Sequence, residues 1–207
     1  MFKPERVGAF CDGVIAVSIT ILVLGIQVPS STKVPEKELL AFLNESLLPI
    51  HGYVTSFFLI GTYWVQHFAI FHYINRVDKF FIALNGVFLL CVTFVSFPTG
   101  LQVTYRNDEL AMILYALTQA MCGLSLMAIW SYATRGHRLI GEQVTEEVIA
   151  SMQKRIFYTP LVSLLAIALS FVNLNAARII FLAIPLSCFT HRVVDDGWSE
   201  PDHRSND

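Results

Sequence analysis

Apolar residues in this chain gather into long runs instead of alternating with polar ones. After Asp12 the sequence carries no charge until Lys33, reading "GVIAVSITILVLGIQVPSST". Five further runs of similar character follow. About 20 predominantly apolar residues in a helix cross a hydrocarbon core of about 30 Å, so runs of this length are read as transmembrane helices. The pattern predicts six spans, at about Val7–Val28, Leu47–Tyr73, Phe80–Tyr105, Leu110–Thr134, Ile156–Val172 and Ala176–Val194. The breaks agree. "VPSSTKVPEKE" has two prolines and mixed charges, as an exposed loop does. "NLNAAR" reads as a tight turn, and "RGHRLIGEQVTEEVIASMQKR" as a loop with a short amphipathic helix. The expected fold is an all-α, polytopic membrane protein with one six-span transmembrane domain over residues 1–194 and a solvated cytoplasmic tail over 195–207.

Composition sharpens the class. Of 207 residues, 55% are hydrophobic and 14% charged, and sixteen phenylalanines outnumber the fourteen lysines and arginines. A soluble domain averages about 25% charged residues to cover its surface. The net charge of −2 points to no partner, and no basic run suggests nucleic acid. The lysines and arginines set the orientation. With the N-terminus in the cytoplasm, ten of them face inward (Lys3, Arg6, Arg76, Lys79, Arg135, Arg138, Lys154, Arg155, Arg192 and Arg204) and only Lys33, Lys37, Arg106 and Arg178 face outward. The positive-inside rule then places both termini in the cytoplasm, which an even number of spans requires. The first run is too long for a signal-peptide core and no small-residue cleavage site follows it. Cys11, Cys91, Cys122 and Cys188 lie within or at the edges of apolar runs, where free thiols behave as small hydrophobes, so neither a disulfide framework nor a CxxC metal site is expected.

Polar residues inside the spans are the candidates for function. At about 100° per residue, Phe10, Val17, Leu24 and Val28 share one stripe of the first helix, with Ile21 and Thr20 on its flanks. Asp12 lies about 140° from Val17, on roughly the opposite side. An aspartate at bilayer depth costs about 2.5–3.5 kcal/mol on insertion scales, so it should face protein or water; His67, Trp64 and Asn85 are its candidate partners. The plainer alternative seats Asp12 at the headgroup level. His67 and His72 are about 140° apart and cannot form a shared metal face, since the i, i+4 spacing of a helical zinc pair is absent. His67 and Asn85 read first as hydrogen-bonded structural residues, and "SFPTG" (Ser96 to Gly100) as interhelical glue with a kink. There is no GxSxG, HExxH or phosphate-cradling glycine loop, no close pair of intramembrane carboxylates, no TVGYG-like filter and no arginine-rich voltage sensor. No enzyme chemistry, cofactor or metal is implied.

Arg6, Phe10, Cys11 and Asp12, leading directly into "GVIAVSITILVL", resemble the Arg-x-x-x-Phe-Ser-Asp signature of the transmembrane protein 175 family, the lysosomal potassium channels and their prokaryotic members. Trp64, His67, Asn85 and the "FPT" at Phe97 to Thr99 extend the resemblance over the six-span core. Cysteine stands at position 11 where the family motif has serine, and a thiol is the weaker donor.

The resemblance implies a cation channel without a carbonyl filter. A single-repeat chain of this kind is expected to form a homotetramer in a prokaryotic plasma membrane, the first helix of each subunit lining a central pore. The family's narrowest points fall at Val17, Ile21 and Leu24, with Thr20 beside them and Val28 further along the stripe. The helical rotation reaches the same positions by a separate route. Four such stripes would stack aliphatic rings that gate by dewetting. Val17 is smaller than the isoleucine or leucine often found there, which implies a wider inner constriction. Thr20 would offer four hydroxyls, the permeant ion would be potassium with modest preference over sodium, and Asp12 would clamp the helix through His67 and Asn85. The alternatives are a proton-conducting channel, a secondary cation transporter (for which no inverted repeat or matched pair of broken helices is found), and a membrane enzyme.

Overall fold

A computed structural model describes residues 3–26 and 47–190. Val28, the proline-containing loop after it and the acidic tail at 195–207 lie outside the described residues. Within them the ordered elements are helical, and the single extended pairing is an isolated bridge between Ile74 and Ile140.

Helix α1 spans Pro4–Ile21, opening on a proline whose fixed φ suits a first turn, and tightens into a 3-10 turn at Leu22–Gly25. Helix α2 runs Leu47–His72. Helix α3, Lys79–Phe94, starts at Asp78, whose side chain accepts the Phe81 amide. It breaks at Val95 and resumes as α4, Ser96–Thr104. Pro98 accounts for the break, because it cannot donate to the Phe94 carbonyl four residues back and its ring crowds that carbonyl. Asp108 caps α5, Glu109–Thr134, and Thr145 caps α6, Glu146–Ser170. Asn173 accepts two amides at the start of α7, Leu174–Ile179, and a 3-10 turn at Ile180–Leu182 leads into α8, Ala183–Thr190.

Four segments are long and apolar enough to cross a membrane among the described residues: Pro4–Gly25, Pro49–His72, Lys79–Thr104 and Glu109–His137. The chain is therefore an all-helical, polytopic membrane protein.

Two expectations need correction. The segment before the fifth expected span is not a loop with a separate short helix: the charged turns from Glu146 belong to the same unbroken α6 that continues through Pro160 to Ser170. Nor is the sixth expected span one continuous helix. Pro185 crowds the Phe181 carbonyl as Pro98 crowds Phe94, and the backbone tightens at Ile180–Leu182.

The core forms around α5, where Met112, Tyr115, Leu126 and Trp130 are fully buried. Gly123 lets α6 come close: a Cβ at this position would sit 2.6 Å from Pro160 Cδ. Small residues at such crossings are what membrane helices use to approach one another. Helix α1 packs at the edge, against α2 and α3.

Candidate functional site

The two faces of α1 meet different surroundings. Cys11, Ile15, Ser18 and Leu22 are buried against the protomer, whereas Phe10, Val17, Thr20, Ile21 and Leu24 are exposed. The change of helix type shapes the outward stripe. Three residues of a 3-10 turn complete about 360°, so Leu24 is carried back over Ile21 instead of lagging by about 60° as in an α-helix. The outward face therefore presents Val17, Ile21 and Leu24 in near alignment, with Thr20 alongside. Thr20 Oγ1 donates its proton to the Val17 carbonyl at 2.8 Å. With its proton so committed, the hydroxyl oxygen of this exposed side chain keeps its capacity to accept. A groove of about 550 Å³ runs beside this face, lined by Phe10, Gly13, Val17 and Ile21 from α1 and by Thr93 and Ser96 at the α3–α4 break.

The inward face is held by a three-helix polar node. Asn85 Nδ2 donates to the Phe81 carbonyl at 2.8 Å, which fixes its Oδ1 as an acceptor. His67 Nε2 lies 2.9 Å from that oxygen and so carries the proton. Cys11 Sγ reaches the same oxygen at 4.0 Å, the long, weak contact a thiol makes. The His67 ring stacks on Phe88 with centroids 5.2 Å apart and 11° between planes. His67, Asn85 and Cys11 are all buried, and they join α2, α3 and α1.

Asp12 takes a different partner. Trp64 Nε1 donates to its Oδ1 at 3.0 Å, so Trp64, and not His67 or Asn85, is the residue hydrogen-bonded to the carboxylate. Arg6 and Phe10 sit exposed on α1, apart from the node. Near the start of the helix, Gly8 lets it approach α2, since a Cβ there would lie 3.2 Å from the Phe71 ring.

A second polar cluster lies deeper and includes residues that sequence reasoning did not single out. Thr99 Oγ1 donates to the Val95 carbonyl, so it accepts from Ser56 at 2.8 Å, and Tyr115 in turn donates to Ser56 at 3.1 Å. Tyr63 donates to Gln119 Oε1 at 2.8 Å. The signal was present in α2: Thr55–Ser56, Thr62–Tyr63 and Gln66–His67 follow one another at spacings of seven and then four residues, and all six are buried. Steps of seven and four residues stay on one face of a helix, here a face whose polar groups are turned toward other helices. Among the described residues no cluster of three or more metal-ligating side chains occurs.

At the end of the bundle holding the α2–α3 and α5–α6 connections, the Asn75 amide donates to the Leu139 carbonyl at 2.9 Å and Arg76 Nε to the Arg138 carbonyl at 3.1 Å. Asp78 Oδ2 accepts from Tyr132 at 2.7 Å and lies 3.6 Å from Arg138 Nε. Partial burial pushes the Asp78 carboxyl up, but the Phe81 amide, the Tyr132 hydroxyl and the Arg138 guanidinium outweigh it, and the group lies below the usual aspartate range.

The family model described as "Endosomal/lysosomal potassium channel TMEM175" matches residues 6–95. A potassium channel of Chamaesiphon minutus is 35% identical over 175 residues, covering 83% of this chain and 86% of the relative. A potassium channel of Streptomyces collinus is 33% identical over 177 residues, covering 84% and 85%. Among solved structures, that of a lysosomal potassium-selective channel TMEM175 homolog from Chamaesiphon minutus superposes with a TM-score of 0.79 at 29% identity, covering 89% of this chain and 95% of that one.

Proposed function

The chain belongs to the TMEM175 potassium channel family, and on that footing we propose that it is a homotetrameric, potassium-permeable channel whose pore is lined by α1 of each subunit. The observation that carries the reading is the division of α1: Cys11 and Ser18 are buried in the protomer and Asp12 bonds to Trp64, while the described residues leave Val17, Thr20, Ile21 and Leu24 exposed. Four copies around an axis would close that face into rings, as closed point symmetry requires.

In this arrangement Ile21 and Leu24, brought over one another by the 3-10 turn, form the narrow aliphatic section. Such a section opposes permeation when it is too narrow or too dry to hold water. Val17 makes a wider ring. Thr20 supplies four oxygens whose protons are already committed to the backbone, so they can replace part of an ion's hydration. Without a carbonyl cage the preference for potassium over sodium is modest. Asp12 does not meet the ion; it and Cys11 anchor α1 through Trp64 and Asn85.

The chain crosses the plasma membrane six times, α6 serving as the fifth crossing and α7–α8 as the sixth, with both termini in the cytoplasm. The pairing of the loops that carry Arg76 and Arg138 supports this topology, since it gathers their positive charge at one end of the bundle. Gly8 of α1 packs against Phe71 near that same end.

The test is cation flux through purified protein in liposomes, with potassium, sodium and caesium compared. Potassium flux at symmetric pH, abolished when Leu24 is replaced by tryptophan, is the expected result. Flux that needs a coupled ion would move the reading to a transporter. Currents that follow an imposed pH gradient at symmetric potassium would move it to proton conduction. Thr20→Ala should shift the potassium-to-sodium ratio, and an unchanged ratio would remove the hydroxyl from the mechanism.

A further inference from the structure

At the end of the bundle opposite the Arg76–Arg138 junction, α2, α4, α5 and α7 line a cavity of about 10 Å³ bounded by His51, Thr55, Gln102, Tyr115 and Arg178. Three polar atoms at its wall, Thr55 Oγ1, Gln102 Oε1 and Arg178 Nε, are buried with no hydrogen-bond partner among the described residues. Their side chains are 3%, 5% and 9% exposed. A buried polar atom left unpaired costs about 1–3 kcal/mol, and three around one void point to a shared guest.

We infer that this cavity is a binding site for a single water molecule that ties α2, α4 and α7 together. Size is the first argument. About one probe sphere of space, roughly 10–15 Å³, is what one water needs, and a halide or organic ion is larger. Donor type is the second. Arg178 Nε offers a proton, Thr55 offers or takes one, and Gln102 Oε1 only accepts. A water can accept from the arginine and the threonine while donating to the glutamine, making the roughly three hydrogen bonds usual for buried water.

The charge on Arg178 gives the third argument. Its Nη1 donates to Asn175 Oδ1 at 3.1 Å and its Nη2 to the Arg106 carbonyl, just past the C-terminal end of α4. The negative end of a helix dipole is a favourable place for a cation, so the guanidinium is already compensated without an anion in the cavity. Arg106 itself is a neighbouring positive charge, which makes an anion the rival occupant. Gln102 Oε1 would repel it. The close approach of Gly52 to Val103, where a Cβ would lie 2.7 Å from Cγ2, seals the site on one side.

The site is separate from the α1 face, so its test is independent of the pore assignment. A crystal or cryo-EM map of the full chain that shows ordered water should contain one peak about 2.7–3.2 Å from all three atoms. Crystals soaked in bromide should show no anomalous peak at that position. In detergent, Thr55→Val and Gln102→Leu should each lower the melting temperature by a few degrees, and the double variant should melt no lower than the worse single, because both break the same bridge. A bromide peak in the cavity, a direct Arg178–Gln102 hydrogen bond with no density between them, or additive losses in the double variant would overturn the inference.

Discussion

Helices α1 and α5 are both apolar enough to cross a bilayer, and α1 is the more hydrophobic of the two. Their positions are reversed from what hydrophobicity would order. Among the described residues 22% of the α1 span is buried, against 61% for α5. In water the more apolar helix would take the centre. In lipid, apolar surface gains little by leaving the acyl chains, and close packing and hydrogen bonds decide instead. Helix α5 has both: Ala111, Ala116, Ala120 and Gly123 admit neighbours, and Tyr115 and Gln119 bond to α2. Helix α1 has them on one side only. Its other side carries aliphatic bulk and one threonine, and none of the described residues covers it.

The sharpest way to break this contrast is to put bulk at the crossing that makes α5 central. Gly123→Leu drives a side chain into Pro160, whose ring is fixed to the backbone and cannot move aside. The expected result is loss of folded protein, read as the absence of a monodisperse peak in size-exclusion chromatography. A side chain of similar size changed on the outward stripe of α1 should leave that peak in place. If Gly123→Leu elutes as the wild type does, close packing is not what centres α5.

Asn85→Leu acts next most strongly, on the inward side of α1. It removes the acceptor shared by His67 and Cys11, leaving the His67 N–H buried and unpaired at a cost of about 1–3 kcal/mol. A lower melting temperature in detergent and a smaller yield of assembled protein are expected. Asn85→Asp, which keeps an acceptor for both donors, should recover part of the loss. If leucine is tolerated with no shift in melting, the node does not hold α1.

How far this division was legible in the sequence depended on where the information resides. The long spans were readable because apolar runs and their caps are local: the expected Leu47–Tyr73 and Leu110–Thr134 become α2 at Leu47–His72 and α5 at Glu109–Thr134. The kink near Pro98 was local too. The start of α6 was not, because Glu146, Glu147, Lys154 and Arg155 read as part of a loop with its own short amphipathic helix, whereas Thr145 begins one helix that outlasts the charges. Helical rotation separates the sides of α1 without reference to any neighbour. The identity of Asp12's partner required the register of α1 against α2, and the expected clamp through His67 and Asn85 gives way to Trp64, which donates to the carboxylate. The Ser56–Thr99–Tyr115 cluster draws on three helices at once, and no single run of sequence holds that juxtaposition.

On the outward face the effect should fall on function and spare the fold. Leu24→Asn puts a polar group into the proposed narrow section, which should wet it and raise potassium flux in liposomes several-fold, with the melting temperature unchanged because the described residues leave Leu24 exposed. A drop in melting with no change in flux would mean that this face is packed for stability and does not border the ion path.

The smallest effect concerns the end of the bundle where the Asp78 junction joins α3 to α5. Asp78→Asn keeps a good helix N-cap and removes the charge that meets Tyr132 and Arg138. The native carboxyl lies below the ordinary aspartate value of 3.8, so the charged form stabilises the fold. That contribution is complete above the unfolded value and is lost as pH falls through the lower folded one. The wild type should therefore melt slightly above Asp78→Asn at neutral pH, and the two curves should converge below about pH 4. Since the junction is largely solvent-facing, the gap should also shrink in high salt. A gap that persists under acid would mean that the hydrogen-bonding shape of the side chain, and not its charge, holds the loops. A gap wider than that from Asn85→Leu would reverse the ranking, making this junction, and not the buried node, the stronger tie in the bundle.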